Sequence, residues 1–264
     1  MSFYCFNYDL VAVDLDASWH KQRAFLYGDG HFTTAKVEQG RVAYLKAHIA
    51  RLRHANSVLK INDINWFRLE KTLESLALEL ENGILKVQVS RGEGIRGYGQ
   101  TLLASPFVFI WLNQAPKWED IPVDLTLVST ALSHNALLAG LKHTNRLEQV
   151  LIAQELELLE CSDGLVSDIE GVLVETSKAN VFWSDGERWF TPDLSLCGID
   201  GVMRQQILHK NNAIQMVRAR TEDVLQEAKA MVISNSVIGL QKVQSIRSMQ
   251  LDLNLAQQFI ETNL

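Results

Sequence analysis

Three tight turns shape the second half of this chain. Asp163-Gly164, Glu170-Gly171 and Asp185-Gly186 cut it into pieces of strand length, at 172–175, 180–184 and 188–191. Helices are predicted around them. One spans about 145–160, with Leu147, Val150, Leu151, Gln154 and Leu158 marking its turns. Two more fall at 201–210 and 221–230, the latter with Thr221 as N-cap and Glu222 and Asp223 in its first turn. A strand at 123–129 opens this unit and 231–234 reads as its final buried strand. Upstream, Leu45, Ile49, Leu52 and Leu59 recur at helical spacing over 43–60, and a second helix at 66–81 stops at Asn82-Gly83. Residues 84–90 alternate as a strand, and 106–112 is a solidly apolar one. The predicted fold class is α+β / α/β in two domains, with mixed sheets and flanking helices. A small α+β domain covers 1–113. A linker follows at 114–118, marked by Gln114-Ala115-Pro116-Lys117, and then a larger α/β domain at 119–264.

Bulk properties exclude several classes of partner. A net charge of -6 gives no basis for binding nucleic acid or an anionic membrane. The longest apolar run, 102–112, contains Ser105 and Pro106 and is too short to span a bilayer. Cys5, Cys161 and Cys197 are odd in number and scattered, which suits a reducing cytoplasm rather than a disulfide framework. The start, Met1-Ser2-Phe3-Tyr4-Cys5, lacks the basic and apolar regions of a signal peptide. The expected location is cytoplasmic.

One lysine stands apart from the solvated majority. Lys142 follows the turn-prone Ala139-Gly140 and precedes a predicted helix, and the larger domain is expected to carry it. Thirty-three residues on, Glu175 ends one apolar run and Asn180 opens the next. A lysine and a carboxylate so presented can hold an aldehyde cofactor with a basic ring nitrogen, pyridoxal 5'-phosphate. The lysine would form the imine and the acid would keep the ring nitrogen protonated.

A phosphate needs amide donors and positive charge. Cys197-Gly198-Ile199-Asp200-Gly201 runs into a helix start, where backbone N–H groups are unpaired. Ser234-Asn235-Ser236 offers further amides and hydroxyls, and Arg51 a full charge. Arg91-Gly92-Glu93-Gly94-Ile95-Arg96-Gly97-Tyr98 is a glycine-rich loop whose guanidinium groups suit a carboxylate-bearing substrate; it matches no nucleotide motif. His31, His134 and His143 lack metal-ligand spacing, so no metal site is expected. Ser133-His134 lacks the strand–elbow–helix setting of a hydrolase.

The order of these segments resembles the fold-type IV pyridoxal-phosphate enzymes, which include branched-chain and D-amino-acid aminotransferases and aminodeoxychorismate lyases. The likeness runs from about Tyr27 to Val243. It is carried by Gly28-Asp29-Gly30-His31-Phe32-Thr33-Thr34, His48-Ile49-Ala50-Arg51, Ser90-Arg91-Gly92, Lys142-His143-Thr144-Asn145-Arg146, the stretch 175–182 and Gly201-Val202-Met203-Arg204. Thr33 stands where the aminotransferases usually carry glutamate, and this resembles the lyase branch.

The resemblance implies Lys142 as Schiff-base lysine, Glu175 against the pyridine nitrogen, and Arg51 on the phosphate. The amides of Ile199 and Asp200, with Asn235 and Ser236, would help hold that phosphate. It also implies conversion of 4-amino-4-deoxychorismate to 4-aminobenzoate and pyruvate, a step of folate biosynthesis, by a homodimer. Lys142 would serve as the base, Thr33 would protonate or orient the leaving group, and Arg96 and Tyr98 would bind substrate. The alternatives are a class IV aminotransferase for a branched-chain or D-amino acid, and a non-catalytic cofactor-binding protein.

Overall fold

A computed structural model describes residues 2–6, 10–12, 22–93, 97–99, 104–114 and 121–263. The chain divides into two compact units. The first is Met1–Trp118 with Lys142–Asn145, and the second is Glu119–Leu141 with Arg146–Leu264. The proposed linker lies outside the described residues apart from Gln114. The tetrapeptide carrying Lys142 therefore groups with the first unit, not the second as expected. The cause is backbone pairing: Phe32 N–H donates to Lys142 O and Thr144 N–H to Gly30 O, both at 2.9 Å.

In chain order the first unit contains β1 (Ser2–Phe6), β2 (Leu10–Ala12), α1 (Arg23–Tyr27), β3 (Gly30–Glu38), β4 (Arg41–Val42), α2 (Leu45–Leu59), α3 (Trp66–Leu80), β5 (Gly83–Ser90) and β6 (Phe107–Asn113). The six strands form one antiparallel sheet in the order β2-β1-β6-β5-β3-β4. Successive side chains of a strand face opposite sides. On β3 the buried side carries Thr33, Ala35 and Val37, and the half-buried side carries Phe32, Thr34 and Lys36. The buried side packs on α2 and α3, whose apolar positions recur at helical spacing. Leu69, Leu73 and Leu76 meet Leu52, Leu85, Val87 and Ile110 in one core. Asn65 caps α3 by accepting the Arg68 N–H at 2.9 Å. Arg91 caps the other helix, donating to the carbonyls of Leu59 and Lys60 at 2.7 and 2.6 Å.

The second unit contains β7 (Val123–Leu127), α4 (Leu147–Leu158), β8 (Gly164–Ser167), β9 (Leu173–Thr176), β10 (Asn180–Ser184), β11 (Trp189–Pro192), α5 (Val202–Lys210), β12 (Gln215–Val217), α6 (Thr221–Glu227), β13 (Ala230–Asn235), β14 (Gly239–Ile246), β15 (Met249–Gln250) and α7 (Leu253–Asn263). Its mixed sheet runs β12-β11-β10-β13-β14-β7-β8-β9, with β15 against β14. Pairings β11·β12, β14·β7 and β7·β8 are parallel. Alternation along β13 splits the core. Met231 and Ile233 join one cluster, while Ala230 and Val232 join Met203, Ile207 and Phe259 of α5 and α7 in another.

Two sequence expectations change. The strand at 231–234 is not the last, because β14, β15 and α7 follow it. Thr221 is the first helical residue of α6 and Arg220 its N-cap; the Thr221 hydroxyl pairs instead with Ser167 Oγ at 2.6 Å.

Candidate active site

In the first unit the site is built on the half-buried side of the sheet. The Lys142 peptide is stitched to β3 at Phe32, and this sets the course of its side chain. Its Nζ lies 5.0 Å from the centre of the Phe32 ring. The strand's next residue on that side is Thr34, and Thr34 is paired in register with Lys86 of β5. Lys86 Nζ lies 4.7 Å over the same Phe32 ring and 5.1 Å over Trp111. Burial pushes the Lys86 amine below the ordinary lysine range.

Thr33, named above as a catalytic hydroxyl, points the other way. It is buried, and its Oγ1 lies 2.6 Å from His48 Nδ1 in the layer between β3 and α2. Burial, then the charge of Arg51 one turn on, pushes His48 down to about 3. The imidazole is therefore neutral, and its Nε2 is buried without a hydrogen-bond partner. By strand alternation, Thr34 rather than Thr33 is the threonine on the Lys142 side. It was missed because the buried set Thr33, Ala35 and Val37 was not phased against the core.

A second network ties the lysine segment to the glycine-rich loop. Thr144 Oγ1 donates to the carbonyls of Gly28 and Gly30 at 2.5 and 3.0 Å. Between those glycines, Asp29 Oδ2 accepts from Nε of both Arg23 and Arg91 at 2.8 Å. Burial alone would raise the Asp29 carboxyl, but hydrogen bonds and charge from Arg91 and Arg23 reverse this and hold it below the usual range. Arg23 also donates to the carbonyls of Gly97 and Tyr98, both at 3.1 Å. The Tyr98 ring is 81% exposed and lies 5.1 Å from that of Tyr27. Arg96 lies outside the described residues.

In the second unit, buried Glu175 on β9 accepts the Ile199 N–H through Oε2 at 2.9 Å. Asn180 clamps the same turn: its amide donates to Ile199 O at 2.7 Å and accepts the Gly201 N–H at 3.0 Å. The Asp200 N–H donates to Gly140 O at 3.0 Å. The two amides assigned to a phosphate, Ile199 and Asp200, are thus engaged inside the protein. Donors remain one step later. Helix α5 has no side-chain cap, and Val202 and Met203 open its first turn, where N–H groups lack intrahelical acceptors.

Asn235 is likewise occupied. Its side chain donates to Lys178 O and accepts from the amides of Val237 and Ile238, closing the β13–β14 turn. Ser234 Oγ, fully buried on the β13 side that packs with Met203, has no partner. An uncapped helix start, an orphaned hydroxyl and a buried carboxylate make a donor and acceptor set that fits a phosphorylated pyridine.

One cluster shows metal-ligand proximity. Atoms of His134, Asp168 and Cys197 lie within 4.8 Å of one another. Asp168 already accepts from His134, Arg218 and the amides of Glu170 and Val172. Burial, then Asp168 and Glu175, pushes the Cys197 thiol up to about 12, so it stays protonated. No helix among the described residues is long and apolar enough to cross a membrane.

The chain belongs to the family described as amino-transferase class IV, whose model matches residues 30–246. Its fold is that of the fold-type IV enzymes. An aminodeoxychorismate lyase of Vibrio harveyi is 34% identical over 232 residues, 85% of each chain. The crystal structure of 4-amino-4-deoxychorismate lyase from Pseudomonas aeruginosa superposes with a TM-score of 0.88 at 28% identity, covering 98% of this chain and 97% of that one. A hypothetical aminotransferase from Mycobacterium tuberculosis, in its PLP-bound form, shares the fold at a TM-score of 0.83 and 16% identity, covering 99% and 97%.

Proposed function

We propose that this chain is a pyridoxal-phosphate-dependent carbon–oxygen lyase converting 4-amino-4-deoxychorismate to 4-aminobenzoate and pyruvate. It would act in the cytoplasm, as a homodimer, and its aromatic product feeds folate synthesis. The observation that carries the reading is the Lys142 amine over Phe32 on the half-buried side of the first sheet, in a chain 34% identical to a lyase of that name.

When bound, the cofactor supplies an electron-accepting ring. Lys142 would hold its aldehyde carbon and would be the base for the proton of substrate C4. Glu175, its carboxylate fixed by the Ile199 amide, would keep the pyridine nitrogen protonated. Arg51, Ser236 and the first-turn amides of α5 are the groups that would hold the phosphate. Loss of the C4 proton and of the enolpyruvyl group from the neighbouring carbon makes the substrate ring aromatic. Protonation of the departing enol gives pyruvate. Thr34, on the side of the amine, would orient or protonate that leaving group, whereas Thr33 would support α2.

Pyruvate release from aminodeoxychorismate with no second substrate is the deciding assay. Lys142→Ala should lower it by at least 10³-fold, on the order expected for loss of a covalent anchor and base. The same variant should lose the visible band of the protein treated with pyridoxal phosphate. Full activity in that variant would reject the assignment. Amino-group exchange with a 2-oxo acid, without pyruvate release, would make the chain an aminotransferase.

A further inference from the structure

Lys86 is a half-buried ammonium against which no carboxylate is recorded among the described residues. Such a charge costs free energy unless it is paired or hydrogen-bonded. Its neighbours are the faces of Phe32 and Trp111, which offset only part of the lost hydration. Among the described residues, β3 and β4 carry the other charged groups on this side. On β3, Lys36 is ion-paired with Glu38, and Arg41 of β4 stands opposite that glutamate. Around Lys86, β6 presents the uncharged Phe109, Trp111 and Asn113. Helices α2 and α3 cover the opposite side. What Lys86 shares is the Phe32 ring, with Lys142.

We propose that Lys86 is an electrostatic partner of Lys142 across Phe32: its ammonium opposes a second positive charge there and keeps the Lys142 nitrogen available as nucleophile and base. The inference rests on Lys142 being the reactive amine. Two nitrogens on one ring at 5.0 and 4.7 Å from its centre stand no more than about 10 Å apart. In a partly desolvated setting, repulsion at about 10 Å moves a protonation midpoint by on the order of one pH unit. Lys86 is the better-placed source of this field, because it comes from a rigid central strand paired on both edges. Burial also acts on Lys86 itself, and a lysine that lost its proton would lose the effect; the role therefore fades at alkaline pH.

The test uses the full chain without added cofactor. Trace acetylation with acetic anhydride is followed across pH, and the Lys142 peptide is quantified by mass spectrometry. Lys86→Met should raise the half-maximal pH of Lys142 labelling by on the order of one unit. Lys86→Arg should leave it within a few tenths, and Lys86→Gln repeats the neutral arm if Lys86→Met does not fold. With pyridoxal phosphate bound, the pH midpoint of the visible band should move in the same direction. Identical labelling midpoints in wild type and the neutral variant would overturn the proposal. So would a midpoint that follows side-chain size rather than charge. A wild-type chain that forms no visible band would count against the proposed function, while the labelling comparison would still decide the role of Lys86.

Discussion

Two adjacent threonines face opposite layers of the first unit. Thr33 and Thr34 differ by one step along β3, and a strand turns that step into opposite sides of a sheet. The Thr33 hydroxyl is taken up by His48, both residues being 1% exposed. Thr33→Val would leave His48 Nδ1 without its partner, a loss of about 1–3 kcal/mol in unfolding free energy. Turnover of the surviving folded protein should change little. Thr34→Val removes a hydroxyl from the Lys142 side and should lower kcat by on the order of 10²-fold, with stability nearly unchanged. Urea unfolding and pyruvate release, measured on both variants, separate the two. Loss of turnover in Thr33→Val with a fully active Thr34→Val would return the catalytic role to Thr33. Glu175→Gln belongs to the same scale. It keeps an acceptor for the Ile199 N–H but removes the charge, so cofactor should still bind while turnover falls by at least about 10²-fold.

The layer between β3 and α2 makes stability depend on pH. His31 and His48 are both buried neutral, pushed down to about 4 and about 3, in each case chiefly by burial. In the unfolded chain both return to the ordinary value of 6.5. Above that value neither state binds the protons and the histidines are silent. Below it the unfolded chain takes up protons that the folded chain refuses, so stability falls as pH drops from about 6.5 toward 4. Each group costs about 1.4 kcal/mol per pH unit in that window. At pH 5 the pair should have removed about 4 kcal/mol relative to pH 7, read from urea midpoints. His48→Leu should flatten roughly half of that slope, and an unchanged slope would show that the imidazole is not buried neutral.

These elements were legible in the sequence because periodicity reports burial. The apolar spacing of Leu45, Ile49 and Leu52 marked α2, and the solid run near Val108 and Ile110 marked β6. Glycine turns marked β9 to β11. What periodicity cannot report is which polar group meets which amide. Asp200 N–H donates to Gly140 O and Ile199 N–H to Glu175 across long stretches of chain, pairings that leave no local signal in the sequence. Lys86 was passed over for the same reason: on an alternating strand it reads as an ordinary solvated position.

At the scale of the whole molecule, α4 carries an apolar face that is exposed in the single chain. Only Ile152 and Leu156 of this helix are buried, packed against Leu132, Val166 and Val174. The periodic positions read from the sequence face outward: Leu147 is 79% exposed, Val150 60%, Leu151 53% and Leu158 82%. Scattered apolar residues on a surface need no explanation, but a row at i, i+3, i+4 and i+11 on one helix forms a patch. A second copy is the occupant that fits the expected homodimer. Isologous pairing would lay the same helix against itself, and burying leucines there contributes about 1.5–3 kcal/mol per side chain. Leu147→Glu with Leu151→Glu places two carboxylates at the centre of the patch on each copy. Sedimentation should then report about half the wild-type mass at the same concentration, with circular dichroism unchanged. Pyruvate release should fall with dilution in the wild type and be low at every concentration in the variant, as for a site that needs the assembled pair. A variant that sediments with the wild type would move the interface elsewhere. A wild type that is monomeric and active at nanomolar concentration would mean that α4 carries its exposed leucines for some partner other than itself.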